Sequence, residues 1–356
     1  MNQSLLRLSI CAAWALLLAA PLSIQAEPLR IGIAGDMSDR NPAAKALPYA
    51  VQFAIEDSRK SGLLSQEITT IVNDDQCKPD VATNIARKFA DYDRVNLVIG
   101  HTCASTSLAA SRVYQEKGLL LIDPTTTHPI LTEELRNKKA PVFRIAERQD
   151  RAAAVAVIVL RDQIANKNIC MVGDPFRKPW LDRFQALAAN ASKKFSVTDV
   201  IPDKGSGPDI CVVYDPDNRS GLDKIGGRDD VIGVSGLDDR FPNPSTNVDQ
   251  IKDLSKRLKA AGYSGPVSPA INAYAAVQIW AKAMQEVKSA ETAKVAEQMR
   301  RLKFETVRGV VVFDEAGDVR QPLITIVRYS NPIIQVPNKC NESPCKDCKC
   351  DECCPK

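Results

Sequence analysis

The chain is poor in histidine, with two in 356 residues, and it lacks the short motifs that mark common enzyme classes. It has no G-x-S-x-G elbow and no G-x-x-x-x-G-K-[ST] loop, and the stretch RIGIAGDMS lacks the spacing of a dinucleotide fingerprint. The expectation is therefore a protein without catalytic machinery. Covalent haem is excluded by the absence of Cys-x-x-Cys-His, and a zinc centre built on His101 and His128 lacks further ligands. A hydrogen-bonded structural role is expected for both. The formal charge is only +4, too small a bias to point to nucleic acid or an anionic membrane. Past the first residues, no segment reaches the ~18 uninterrupted apolar residues that a membrane span needs.

What is present begins with MNQSLLRLSICAAWALLLAAPLSIQAEP, in which Arg7 precedes an apolar run that closes in Ser-Ile-Gln-Ala. This reads as a secretory signal peptide over residues 1–26, cut after Ala26. Cys11 follows Ile10, which is not small, and this argues against lipid attachment. The mature protein is expected to be a soluble monomer of the periplasm, where disulfides persist.

A chain of this length is expected to form about two cores. LRIGIA, ITTIV, VNLVI and LLLI read as buried strands, with helices between them. The clearest helix, DVATNIARKFADY, carries Val81, Ile85 and Phe89 on one face, with Asp80 as its N-cap. The pattern restarts after PVFRIAERQD, with strands at 169–172, 197–201, 210–213 and 231–234 and helices at about 180–193 and 248–261. A third section holds the helix INAYAAVQIWAKAMQEV, a helix near 293–302, and RGVVVFDEAGDVRQPLITIVRY, a hairpin followed by one strand. The fold class is α/β: two doubly wound parallel-sheet lobes joined by a multi-strand hinge. Residues 27–146 plus 270–320 are assigned to lobe 1, 147–269 plus 321–337 to lobe 2, and 338–356 to a Cys-rich tail.

Facing α/β sheets bind ligands beyond the carboxyl ends of their strands. The stretch VIGHTCASTS sits at such an end. Its strand stops at Ile99, the turn is Gly100 to Cys103, and a helix opens at Ala104 and Ser105 with free amides and a dipole that favour a carboxylate.

NDDQC, VIGHTCASTS, LLLIDPTTTHPILTEE, AYAAVQ and FDEAGD together resemble the periplasmic leucine/isoleucine/valine-binding proteins, receptors of branched-chain amino-acid ABC transporters. The resemblance covers about residues 29–329 and is strongest in the first lobe. It implies a type I periplasmic-binding clamshell that closes on an amino acid without catalysis and delivers it to a membrane permease. It also implies a disulfide between Cys77 and Cys103, and ligand contacts at Ala104, Thr125 and Thr127. Thr127 keeps the family's threonine, whereas Ala104 replaces its serine. MSDRNPAAK lacks the family's aromatic after the first strand, and the second lobe offers GDPFRKPW and no counterpart of the amine-binding glutamate. Leucine as the ligand does not follow.

The residues themselves offer further candidates in the second lobe: Asp174 and Asp215 at strand ends, Arg177 or Lys178 for an anionic group, and Ser235 with Asp238 after VIGV. Cys170 and Cys211 occupy equivalent places in two strands and either bridge or pack as small apolar groups. The tail places Cys340, Cys345, Cys348, Cys350, Cys353 and Cys354 in 17 residues. It suits a thiolate site for zinc or copper(I), a set of disulfides, or a dispensable tail. No cofactor is required. The expected function is an exported solute-binding protein of an ABC transporter that captures an amino acid or similar small carboxylate for import. The alternatives are a ligand-sensing receptor on the same fold and a metal carrier acting through the tail.

Overall fold

The computed structural model describes residues 28–39, 41–134, 140–172, 177–198, 200–214, 228–235, 247–320, 323–328 and 334–335. The expected signal peptide and the tail cysteines lie outside the described residues.

The first sheet contains β1 (Leu29–Gly35), β2 (Ile68–Asp74), β3 (Leu97–Gly100), β4 (Leu120–Asp123) and β5 (Val142–Arg144). They are parallel, in the order β2-β1-β3-β4-β5. Between them run α1 (Pro42–Lys60), α2 (Pro79–Arg87) with a π-helical turn at Lys88–Tyr92, α3 (Ala104–Lys117) and the short α4 (Ile130–Glu133). Alternation along the strands feeds two cores, because successive side chains point to opposite faces. Ile31, Ile33, Leu97, Ile99, Leu120 and Ile122 join one; Ala34, Val98, Leu121 and Val142 join the other. Gly32 lets Phe89 lie flat on β1, since a Cβ there would meet the ring at 2.9 Å. The expected cap at Asp80 is corrected. Lys78 is the N-cap and Pro79 opens the helix, because proline supplies the right φ and needs no amide partner. Asp80 sits in the first turn.

The second lobe follows with α5 (Gln149–Ile164), β6 (Asn168–Val172), α6 (Lys178–Ala188), β7 (Lys194–Thr198), β8 (Ile210–Tyr214) and β9 (Val231–Ser235). Strand β7 starts three residues before its expected place and lies at the sheet edge, where its half-exposed pattern carries little hydrophobic signal. Trp180 and Phe184 pack with Ala152, Ala153, Ala156, Met171 and Val212 in this lobe's core. Strands β6 and β8 are neighbours and bring Cys170 opposite Cys211. The two form a disulfide, with Cα atoms 4.5 Å apart, and stay buried beside Val213 and Val231.

The remaining elements are α7 (Val248–Ala260), α8 (Ser268–Val287), α9 (Thr292–Arg301), the antiparallel hairpin β10 (Lys303–Thr306) and β11 (Gly309–Val312), then β12 (Thr325–Arg328) and β13 (Ile334–Gln335). The hairpin partner of GVVV is thus the strand before it, not the stretch after FDEAGD; among the described residues Val319 of that stretch forms an antiparallel bridge with Phe313. Helix α7, read from the sequence into lobe 2, puts Ile251, Leu254 and Leu258 into the first core. The partner explains the difference, since Arg257 lies over Phe53 of α1, 4.2 Å from the ring centre, and pairs with Asp57. Helix α8 is buried on nearly all sides, including Trp280. Strand β12 returns to the second sheet, antiparallel to β9, giving the order β13-β12-β9-β8-β6-β7.

Charged side chains join the segments where the chain passes between cores. Arg144 is fully buried and donates to Asp318 through Nε at 2.9 Å and to Thr132 at 2.7 Å. Asp318 also accepts from Arg148 at 3.1 Å and from the Thr132 hydroxyl at 2.8 Å. Burial opposes its ionisation, but the guanidinium groups of Arg144, Arg148 and Arg151 outweigh it and hold the carboxyl below its ordinary range. Arg308 donates to Glu147, Ile145 O and Asn272 Oδ1, and Glu147 accepts the Leu323 amide.

Candidate functional site

The turn at Gly100 to Cys103 is held from below. A Cβ on Gly100 would lie 2.1 Å from Ala34 O, and φ there is +143°, so the strand end can press against β1 only as glycine. His101 is fully buried, its Nδ1 2.6 Å from Asp75 Oδ2 and its Nε2 2.9 Å from Tyr114 Oη. Burial, with the Asp75 charge, pushes the Tyr114 hydroxyl well above its ordinary pKa. Asp75 also accepts the Cys77 amide at 2.9 Å, and Cys77 is disulfide-bonded to Cys103, the N-cap of α3. Thr102 accepts from the Asp36 amide and the Asn41 side chain, both at 3.0 Å. The turn is thereby fixed to the loop after β1.

Above this support, α3 opens without a side-chain cap. Its first backbone bond runs from Ser107 N–H to Cys103 O, so the amides of Ala104, Ser105 and Thr106 lie in the uncapped first turn. Ser105 is exposed and Ala104 half-buried. Such an end attracts an anion.

Beside it, β4 ends in Asp123, whose Oδ1 accepts the amides of Thr125 at 2.9 Å and Thr126 at 2.7 Å. This folds Asp-Pro-Thr-Thr into a tight turn. Burial raises the Asp123 carboxyl above its ordinary pKa against the hydrogen bonds from Ser107 and the threonines. Thr126 is turned inward onto Ser107 at 2.8 Å. Thr125 and Thr127 remain half-buried. The Thr125 hydroxyl donates to His101 O at 3.0 Å, which leaves its oxygen as an acceptor. His128 Nδ1 accepts the Ile130 amide at 3.2 Å; burial first, then Arg144, lowers its pKa. Both histidines are thus tied into the fold.

The structure brings Ala104, Ser105, Thr125 and Thr127 to the carboxyl edge of the first sheet. On the second, Ser235 ends β9 and is buried, and Arg177 donates to Tyr214 O at the end of β8. Lys178 opens α6 but is exposed and pairs with Asp182 four residues on, at 2.5 Å. Asp174, Asp215 and Asp238 lie outside the described residues. Sequence reading missed Asp123 and Gln149. The Asp-Pro step after a strand signals the first as a turn former, whereas nothing local signals Gln149, which meets Thr127 from 22 residues away. The motifs AYAAVQ and FDEAGD turn out to be scaffold: Tyr274 bonds Asp57 at 2.8 Å, Gln278 accepts the Val307 amide, and Asp318 anchors Arg144.

The family model described as periplasmic binding protein matches residues 28–205 and 217–330. Among curated relatives, the leucine-, isoleucine-, valine-, threonine- and alanine-binding protein of Pseudomonas aeruginosa is 25% identical over 92% of this chain and 97% of its own. A Leu/Ile/Val-binding protein homologue of Brucella melitensis is 28% identical over 73% of this chain and 79% of its own. Among solved structures, an ABC transporter substrate-binding protein of Desulfitobacterium hafniense in complex with Leu superposes with a TM-score of 0.67 at 19% identity, covering 86% of this chain and all of its own. A solute-binding protein of Rhodopseudomonas palustris in complex with 3,4-dihydroxybenzoic acid gives 0.67 at 18% identity, covering 85% of this chain and 93% of its own. With two parallel-sheet lobes and a family match along most of its length, the chain belongs to the periplasmic binding protein family, among relatives of the Leu/Ile/Val-binding proteins.

Proposed function

We propose that this protein is an exported, monomeric solute-binding protein that captures a small carboxylate, an amino acid or an acid of similar size, and presents it to the permease of an ABC transporter. The observation that carries this reading is the uncapped first turn of α3, with exposed Ser105, next to half-buried Thr127 at one sheet edge. Amide donors and a positive dipole end suit a carboxylate. A carboxylate is also the group shared by the leucine and the dihydroxybenzoic acid held by the two solved neighbours. Ser235 and Arg177, at the carboxyl edge of the second sheet, are assigned to the far side of the ligand. Closure of the lobes would exclude water and strengthen these few polar contacts.

Titration calorimetry with L-leucine, L-alanine, L-threonine and benzoate tests the reading, paired with Thr127→Val. At least one probe is expected to bind, and the variant to lose about tenfold or more, since hydrogen bonds to charged groups contribute ~1.5–3 kcal/mol. Binding by none of them, or unchanged affinity in Thr127→Val, would remove the proposed site. The six tail cysteines carry a second proposal, a thiolate site for zinc or copper(I). Metal analysis of protein purified under reducing conditions, with and without residues 340–356, is expected to find metal only in the full chain.

A further inference from the structure

A threonine hydroxyl both donates and accepts, so a freely rotating one serves either kind of ligand atom. Thr127 is not free in this sense. Gln149 Nε2 donates to Thr127 Oγ1 at 3.2 Å, and the Gln149 amide donates to Thr127 O at 3.0 Å. Gln149 is 3% exposed and opens α5, whose Ala152, Ala153 and Ala156 lie in the second core. Its position is therefore set by packing. Its charged neighbours satisfy each other: Arg148 bonds Asp150 at 2.8 and 2.6 Å.

A side-chain NH2 donates and does not accept. Facing it, Thr127 Oγ1 is committed as an acceptor, and its hydrogen is left for the cleft. Thr125 is set the opposite way, because its hydrogen is spent on His101 O. Two hydroxyls two residues apart thus present opposite polarities.

We infer that Gln149 is a positioning residue that fixes Thr127 as a hydrogen-bond donor and thereby selects a carboxylate over a neutral or cationic group at that point. This rests on the reading of Thr127 as a ligand contact. Replacing the amide by a carboxylate, which only accepts, draws the Thr127 hydrogen inward and turns the lone pairs toward the ligand. Replacing it by methionine keeps the length and frees the rotor.

The test is calorimetry on wild type, Gln149→Glu, Gln149→Met, Thr127→Val and the Gln149→Met/Thr127→Val double variant, with melting curves as a folding control. The probes are L-leucine, L-alanine and benzoate, each beside its primary amide. In Gln149→Glu the carboxylate-to-amide affinity ratio should fall about tenfold, and in Gln149→Met by a few-fold, as expected for one charge-assisted bond lost or loosened. In the Thr127→Val background, Gln149→Met should change the ratio by less than about twofold, since the coupling partner is gone. A merely structural role would weaken both probes alike. Unchanged ratios in the Gln149 variants alongside a weakened Thr127→Val would overturn the inference and leave the site reading intact. An unaffected Thr127→Val, or no binding of any carboxylate, would overturn both. If Gln149→Glu does not fold, the Gln149→Met ratio decides.

Discussion

Replacing Asp318 by asparagine keeps the shape of the side chain and removes the one carboxylate bonded by both Arg144 and Arg148. Asp318 is 1% exposed and Arg144 fully buried, so water cannot compensate the guanidinium that is left. Arg144 would keep Thr132 Oγ1 and the carbonyl of His128, acceptors without a full charge. Breaking a buried pair from one side costs about 3–5 kcal/mol, on the order of 10 °C in melting temperature for a protein of this size. The pH dependence has a definite sign. The folded carboxyl titrates below its ordinary value, so its contribution is complete above the unfolded pKa of about 3.9 and fades as pH falls through the lower folded value. Melting curves of wild type and Asp318→Asn should therefore stay separated by a constant gap from pH 7.5 to about pH 5 and converge below about pH 4. A loss under about 1 kcal/mol at pH 7.5, the size of a surface pair, would refute the reasoning. So would a gap that persists unchanged at pH 3.

Asp123→Asn is expected to behave in the opposite sense. Burial raises this carboxyl, so its ionised form costs stability that appears as pH rises past about 3.9. Asparagine still accepts the Thr125 and Thr126 amides, and melting should show a variant at least as stable as wild type at pH 7.5, with no advantage near pH 3; a clear loss at pH 7.5 would contradict this. The Cys77–Cys103 bond spans a separation of 26 residues, for which the chain-entropy account gives about 3–4 kcal/mol. The double serine variant should melt lower by several degrees and bind its carboxylate probe more weakly, because the bond pins the residue at which α3 opens; unchanged affinity would show that the turn holds without the bond.

Much of the fold was legible because buried parallel strands read as short apolar runs, and LRIGIA, VNLVI and LLLI have no other reading at that length. Elements with weak apolar signals were less legible. Strand β7 lies at an edge, where half its side chains meet water, and its apolar signal begins three residues after the strand does. Helix α7 is legible as a helix, but an apolar stripe does not name its partner, and Ile251, Leu254 and Leu258 join the first core rather than the second. At the site, the strand-end turn, the opening of α3 and the threonines after β4 were visible as residue types. The buried stack of Asp75, His101 and Tyr114 beneath them was not.

The sequence alone determined the local order of elements, the uncapped helix end and the supply of hydroxyls, since these depend on residues within a few positions of one another. Only the tertiary structure decided which hydroxyls donate and which accept. Thr126 turns inward onto Ser107, Thr125 spends its hydrogen on His101 O, and Thr127 receives the Gln149 amide. Hydrogen-bond polarity is set by partners that chain folding brings within about 3 Å, and no periodicity records them.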